Sequence, residues 1–137
     1  MVDIFNNKKR SEIMSNITGK NTKPELLVRK ALFSEGYRYR LHRKDLPGNP
    51  DIVFPSGKKA IFINGCFWHG HNCKKAALPE SNKQFWKKKI NGNVKRDKTN
   101  SGKLEQIGWK SFVVWQCEIK KSTLEKKIKQ IKMFLKE

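Results

Sequence analysis

The sequence predicts an α/β fold, a mixed central β-sheet flanked by helices. Apolar residues recur at helical spacing in 27–32 and again in 124–135. Between them lie short strand-like runs at 51–54, 59–63 and 112–115. The resulting order is an arm, a helix, three strands, a helix, a strand and a helix. Alternation of this kind is how an α/β sandwich is built.

Residues 1–21 are polar and basic, with Met14 and Ile17 three apart, which suggests an arm carrying a short helix outside the core. The first core helix has a capping-box start, Thr22 with Glu25 three residues on, and Pro24 in its first turn, where a missing N–H costs little. Leu27, Ala31 and Leu32 give its apolar stripe and Gly36 ends it. Tyr37 to Leu41 alternates and predicts a strand; Asp45 to Pro50 is turn chemistry throughout. Asp51–Phe54 and Lys59–Ile63 flank Pro55-Ser56-Gly57-Lys58, the pattern of a β-hairpin. Lys83 to about Gln106 is helical in pattern, with Gly92 and Gly102 as candidate breaks and Gly108 closing it. Phe112–Trp115 is a short apolar strand. The last helix is expected from Ser122, with Glu125 completing a second capping box and Leu124, Ile128, Ile131 and Leu135 as its stripe. Without internal repeats or a low-complexity linker, residues 1–137 read as one domain, of which 1–21 form a basic N-terminal arm suited to a polyanion such as DNA.

Charge narrows the function. Lys and Arg number 31 against 12 Asp and Glu, a formal net charge of +19. Such an excess repels itself unless a polyanion neutralises it, and a phosphate backbone is the usual polyanion. The opening residues lack the apolar core of a secretory leader, and no run approaches the roughly 18 apolar residues that span a bilayer. The expectation is a cytoplasmic, nucleoid-associated protein with no membrane partner. Disulfides are rare in that compartment. Three cysteines are an odd number, but three thiolates and one imidazole complete a tetrahedral zinc site.

The segment Cys66-Phe67-Trp68-His69-Gly70-His71-Asn72-Cys73 concentrates the chemistry. It follows the apolar run Ala60–Ile63, at what should be a strand end. Cys66, His71 and Cys73 share one tight loop. Cys117 joins them if the strand Phe112–Trp115 pairs near Ile61–Ile63. A Cys₃His set leaves no open position, which predicts a structural zinc; the alternative is ordinary buried cysteines. His69 alternates away from the ligands and can face outward as a base for water attacking phosphorus. Equally, His69 could be the ligand and His71 the free imidazole. Asp51, at a strand start beside a turn, is placed to hold Mg²⁺ against a phosphate, or simply to cap the turn. Glu25 can assist there while still capping its helix. Phe67 and Trp68 are either wedges for a nucleic-acid stack or a cover over the metal loop.

Several motifs together carry a family resemblance over nearly the whole chain. They are Arg10-Ser11-x-x-Met14-x-x-Ile17, Thr22 and Glu25, Leu46-Pro47-Gly48-Asn49-Pro50-Asp51, and Gly65-Cys66-Phe67-Trp68-His69. Phe85-Trp86 with Lys89-Ile90, Asn93-Val94-x-Arg96-Asp97, Gly108-Trp109 and Val114-Trp115-x-Cys117 add to them. The chain resembles the very short patch repair (Vsr) endonucleases. The resemblance implies a restriction-endonuclease-like core that nicks one strand of duplex DNA 5′ to the thymine of a T:G mismatch. Such mismatches arise when 5-methylcytosine deaminates. It implies Mg²⁺ as catalytic cofactor and Zn²⁺ as structural cofactor. Asp51 would be the Mg²⁺ ligand with the backbone carbonyl of Ile63, His69 the general base, and Glu25 an aid to ordering water. Cys66, His71, Cys73 and Cys117 would hold zinc. Phe67, Trp68 and Trp86, helped by Met14 and Ile17, would enter the stack, with Lys89, Asn93 and Arg96 among the DNA contacts. Mismatch-repair proteins are implied partners, and the absence of a dimer seam in the sequence implies a monomer.

The departures are local. Ile63 and Asn64 stand where many relatives have Thr and His. Ile63 keeps its carbonyl, but Asn64 cannot exchange a proton near neutral pH. Two other functions share the sequence features: a restriction-type nuclease cutting unmismatched DNA, and a non-catalytic zinc-stabilised DNA-binding module. A binding module has no need of Asp51, His69 and Glu25 together.

Overall fold

A computed structural model describes residues 22–71, 73 and 77–137. The arm residues Met14 and Ile17 lie outside the described residues. The elements are α1 (Lys23–Ser34), β1 (Arg40–Leu41), β2 (Ile52–Phe54), β3 (Lys59–Asn64), α2 (Lys83–Gln106), β4 (Lys110–Trp115) and α3 (Leu124–Lys136).

The four strands form one mixed sheet in the order β1-β2-β3-β4. β1 and β3 run antiparallel to β2, whereas β4 is parallel to β3 with α2 in the crossover between them. Successive side chains of a strand point to opposite faces, and the sheet divides its apolar residues accordingly. Ile52, Phe54, Ile61 and Val114 face Val28 and Leu32 of α1 and Ile128, Ile131 and Phe134 of α3. Val53 and Ala60 face the other way, with Leu46 and with Leu104 of α2.

α1 starts as its sequence suggests: the Glu25 N–H donates to Thr22 Oγ1 at 3.4 Å. The reciprocal half of the capping box is replaced by a different use of Glu25, taken up below. Gly36 takes φ +94°, and the Tyr37 N–H closes back on the Leu32 carbonyl at 3.1 Å. The strand expected over 37–41 is paired only at Arg40 and Leu41. Tyr37 and Tyr39 instead set their rings edge-on to Phe54, at 6.2 and 6.1 Å between centroids.

Two other expectations are corrected. α2 runs unbroken through Gly92 and Gly102, because both positions face open space and no packing contact depends on a break. α3 begins at Leu124 rather than Ser122, and its second capping box does not form. The neighbouring Thr123 hydroxyl turns back, donating to the Glu118 carbonyl at 2.7 Å. At the other end of α3, the buried Lys59 ammonium donates to the carbonyls of Phe134 and Glu137 at 3.0 and 3.1 Å. That satisfies carbonyls a helix end otherwise leaves open and favours the negative end of its dipole. No described helix is long and apolar enough to cross a membrane.

Candidate active site and metal centre

Two groups of side chains meet around the ends of β2 and β3. The first is built on Asp51, the residue before β2. Its N–H donates to the Ile61 carbonyl at 3.2 Å, so its backbone is held in the sheet. Its Oδ2 accepts from the Ile63 N–H at 2.7 Å. Asp51 keeps some solvent contact, yet burial pushes its carboxyl up to about 6, and the neighbouring Glu25 adds to the rise. The Ile63 N–H and the imidazoles of His42 and His69 oppose it.

Glu25 reaches this carboxylate from the first turn of α1 and is fully buried. Its Oε2 accepts from Arg29 Nη1 at 3.0 Å and meets His42 Nε2 at 2.8 Å. His42 sits just past β1 with φ +50°, and its N–H donates to the Asp51 carbonyl at 3.0 Å. One ligand atom from each of Glu25, His42 and Asp51 lies within 4.8 Å of the others. Two carboxylates and an imidazole converging from three segments make a donor set that fits a divalent cation.

The second group lies on the loop after β3. The parallel register sets Asn64 beside Trp115, which brings Cys66 and Cys117 together across the strand ends. The Cys117 N–H donates to Cys66 Sγ at 3.3 Å, and Cys117 Sγ is 3.4 Å from His71 Nδ1. Cys73 completes a set whose ligand atoms lie within 4.8 Å of one another. All three cysteines are unbridged thiols. His71 stacks on Trp115 at 4.2 Å between ring centroids and 11° between planes, which fixes its ring. Burial pushes the Cys66 thiol up to about 12. A thiol so placed becomes thiolate only with strong positive charge beside it, and a metal ion supplies such charge. The Cys₃His donor set fits a tetrahedral ion such as zinc.

His69 lies on the same loop but outside that set. Its Nδ1 is 2.6 Å from Asp97 Oδ2 on α2, and its N–H donates to the Gly65 carbonyl at 3.2 Å. Asn93 fastens the loop to α2 by donating to the Trp68 carbonyl at 2.9 Å. Next to it Phe67, Trp68 and Trp86 form a mutually edge-on group, with centroids 5.2–5.8 Å apart. Phe85, 58% exposed, extends this group at 5.2 Å from Trp86. The Lys89 ammonium sits about 6 Å from Trp68, Phe85 and Trp86. Arg96 is exposed on the same helix. Asn64 is buried and lines a small cleft of about 40 Å³ with Phe62, Val113, Asp97 and Asn100.

Three participants were not singled out from the sequence. Asp97 stands within a motif that assigns it no role; its signal is the spacing of four from Asn93, which puts both on one helix face. Phe85 stands beside Trp86 in one of the motifs, but only Trp86 is given a role there. His42 had no local signal, although it is one of only three histidines in the chain.

Comparison with known proteins gives the family. The family model of the DNA mismatch endonuclease Vsr matches residues 2–75. The chain is 51% identical over 124 residues to the type II nicking enzyme V.NmeAIP of Neisseria meningitidis, covering 90% of this chain and 89% of that protein. It is 50% identical over 119 residues to the type II nicking enzyme V.XorIIP of Xanthomonas oryzae, covering 87% and 88%. Against the DNA mismatch endonuclease Vsr of Escherichia coli it is 34% identical over 120 residues, covering 88% and 77%. These are relatives of one kind, nicking or mismatch endonucleases by name. The chain belongs to the Vsr family of DNA mismatch endonucleases.

Proposed function

We propose that the protein is a DNA endonuclease with a restriction-endonuclease-like core, nicking one strand of duplex DNA 5′ to the thymine of a T:G mismatch. The observation that carries this reading is the joining of three features at one end of the sheet. The Glu25–His42–Asp51 cluster, the His69–Asp97 pair and the aromatic group all lie on or beside β2, β3 and the loop that follows. The names of the relatives support nicking over double-strand cleavage.

In this reading Asp51 and the Ile63 carbonyl would hold Mg²⁺, and buried Glu25 would order water beside them. A cation bound there neutralises charge that develops on the scissile phosphate. Asp97 accepts a hydrogen bond from His69 Nδ1–H, which keeps the proton on Nδ1 and presents Nε2 with a lone pair. His69 then takes the proton of the attacking water, and the phosphodiester opens to a 3′-hydroxyl and a 5′-phosphate. Asn64 has no proton to give, so the leaving oxygen takes its proton from solvent. Phe67, Trp68 and Trp86 enter the stack beside the mismatch, where a wobble pair is easier to open than a Watson–Crick pair. Lys89, Asn93 and Arg96 hold the backbone alongside, and residues Met14 and Ile17 of the arm add apolar contacts. Cys66, His71, Cys73 and Cys117 hold a structural zinc that fixes the loop carrying both the rings and the base.

The test uses zinc-loaded protein, Mg²⁺ and end-labelled duplexes differing only in one T:G or C:G pair, across several sequence contexts. A nick on the thymine strand alone, lost with Asp51→Ala and with His69→Ala, is the expected result. Equal cutting of both duplexes would move the protein to the restriction class, and mismatch binding without any cutting to a binding module.

A further inference from the structure

We propose that His42 is a nitrogen ligand of the divalent cation assigned above to Asp51, making a mixed carboxylate–imidazole site that binds Mn²⁺ as well as Mg²⁺. The proposal rests on that metal reading of Asp51 and adds a ligand to it.

The backbone holds His42 in an unusual state for this purpose. Its φ of +50° is a left-handed conformation that a side chain with a Cβ adopts less readily than glycine does. Asn49 meets the same demand, φ +51°, in the same connection between β1 and β2. Strain of this kind persists where the surroundings over-determine it. Here the His42 N–H is tied to the Asp51 carbonyl at 3.0 Å, so the two residues move together.

The side chain then points where a ligand belongs. His42 Nε2 lies 2.8 Å from Glu25 Oε2, and the ligand atoms of Glu25, His42 and Asp51 fall within 4.8 Å of one another. Around an octahedral ion with bonds of about 2.1 Å, adjacent ligands sit about 3 Å apart and opposite ones about 4.2 Å. Glu25 also has Arg29 Nη1 at 3.0 Å on the same oxygen, so its negative charge is balanced without an imidazolium. With its proton on Nδ1, a neutral imidazole can turn the Nε2 lone pair to a cation while Glu25 stays paired to Arg29. Carboxylates alone suit Mg²⁺ and Ca²⁺; adding imidazole favours first-row transition ions.

Mn²⁺ titrated into zinc-loaded protein tests this by paramagnetic resonance, with spin-echo modulation reading the ligand nuclei and no turnover required. The expected result is one Mn²⁺ bound, lost with Asp51→Ala, showing ¹⁴N modulation that survives His69→Ala. That modulation should vanish in His42→Asn, which tolerates the left-handed backbone, and in His42→Gln. Mn²⁺ affinity should fall at least about tenfold in both, with zinc content unchanged. Mn²⁺ bound through Asp51 without ¹⁴N modulation, or modulation surviving both His42 substitutions, would overturn the proposal. Mn²⁺ binding indifferent to Asp51→Ala would instead overturn the Asp51 reading, and this ligand with it.

Discussion

At the scale of single residues, Asp51 is held in a condition that favours function over stability. Its carboxyl titrates near 6 in the fold against an ordinary 3.8, chiefly because burial disfavours the charge. The folded chain therefore retains a proton that the unfolded chain releases between about pH 4 and pH 6. The group's contribution to stability is best below that window and is lost as pH rises through it. Near neutral pH the penalty is roughly 2 kcal/mol, allowing for the solvent contact Asp51 keeps. Asp51→Asn should accordingly raise the unfolding midpoint of zinc-loaded, Mg²⁺-free protein at pH 7.5, and raise it less at pH 5. Calorimetry at the two pH values reads the difference; an equal gain at both would mean that the carboxylate charge is not the cause. His69 offers a second residue-scale test. With Asp97→Asn the imidazole loses the acceptor-only carboxylate that fixes its tautomer, because an amide can also donate to Nδ1, so nicking should slow by about 10²-fold or more while mismatch binding changes little. Single-turnover cleavage beside a binding titration separates the two effects.

At the scale of elements, the glycines of the loop and of α2 behave in opposite ways. A Cβ on Gly70 would stand 2.9 Å from Val94 and 3.0 Å from Ile90, and the residue has φ +65°. Gly70→Ala should cost about 2 kcal/mol or more, combining backbone strain with a clash between the loop and α2. Gly92 meets nothing within 4 Å, so Gly92→Ala should stabilise α2 by about 1 kcal/mol. Denaturant midpoints of the two variants check both signs. These cases also show what local sequence can reveal. The order of helices and strands was legible because caps, turn residues and apolar periods mark it, as Thr22, Gly36 and the Leu46–Pro50 turn do. The continuity of α2 was not, since a glycine breaks a helix only if the surroundings reward the break. The Cys66–Cys117 meeting was legible on the condition that β4 pairs with β3, and it does. His42 was not legible, because its partners Glu25 and Asp51 are brought to it by tertiary packing rather than spacing.

For the whole molecule, the charge of +19 governs how DNA is held without choosing among sequences. A protein that neutralises six or more phosphates loses about a thousandfold in affinity between 50 and 200 mM salt. Matched and T:G duplexes should weaken together over that range, leaving their ratio nearly constant; a ratio that collapses with salt would place discrimination in the phosphate contacts instead. The loop after β3 bears on that ratio in another way. Phe67 and Trp68 immediately precede His69 in the chain, and the whole segment is clamped to α2 through Asn93 and Asp97. A lever this short has no slack: whatever tilts the rings tilts the imidazole. A duplex that refuses the rings would leave the proton acceptor out of line, so fidelity would be enforced at the moment of bond breaking, and an error in recognition would be a stalled encounter instead of a misplaced cut.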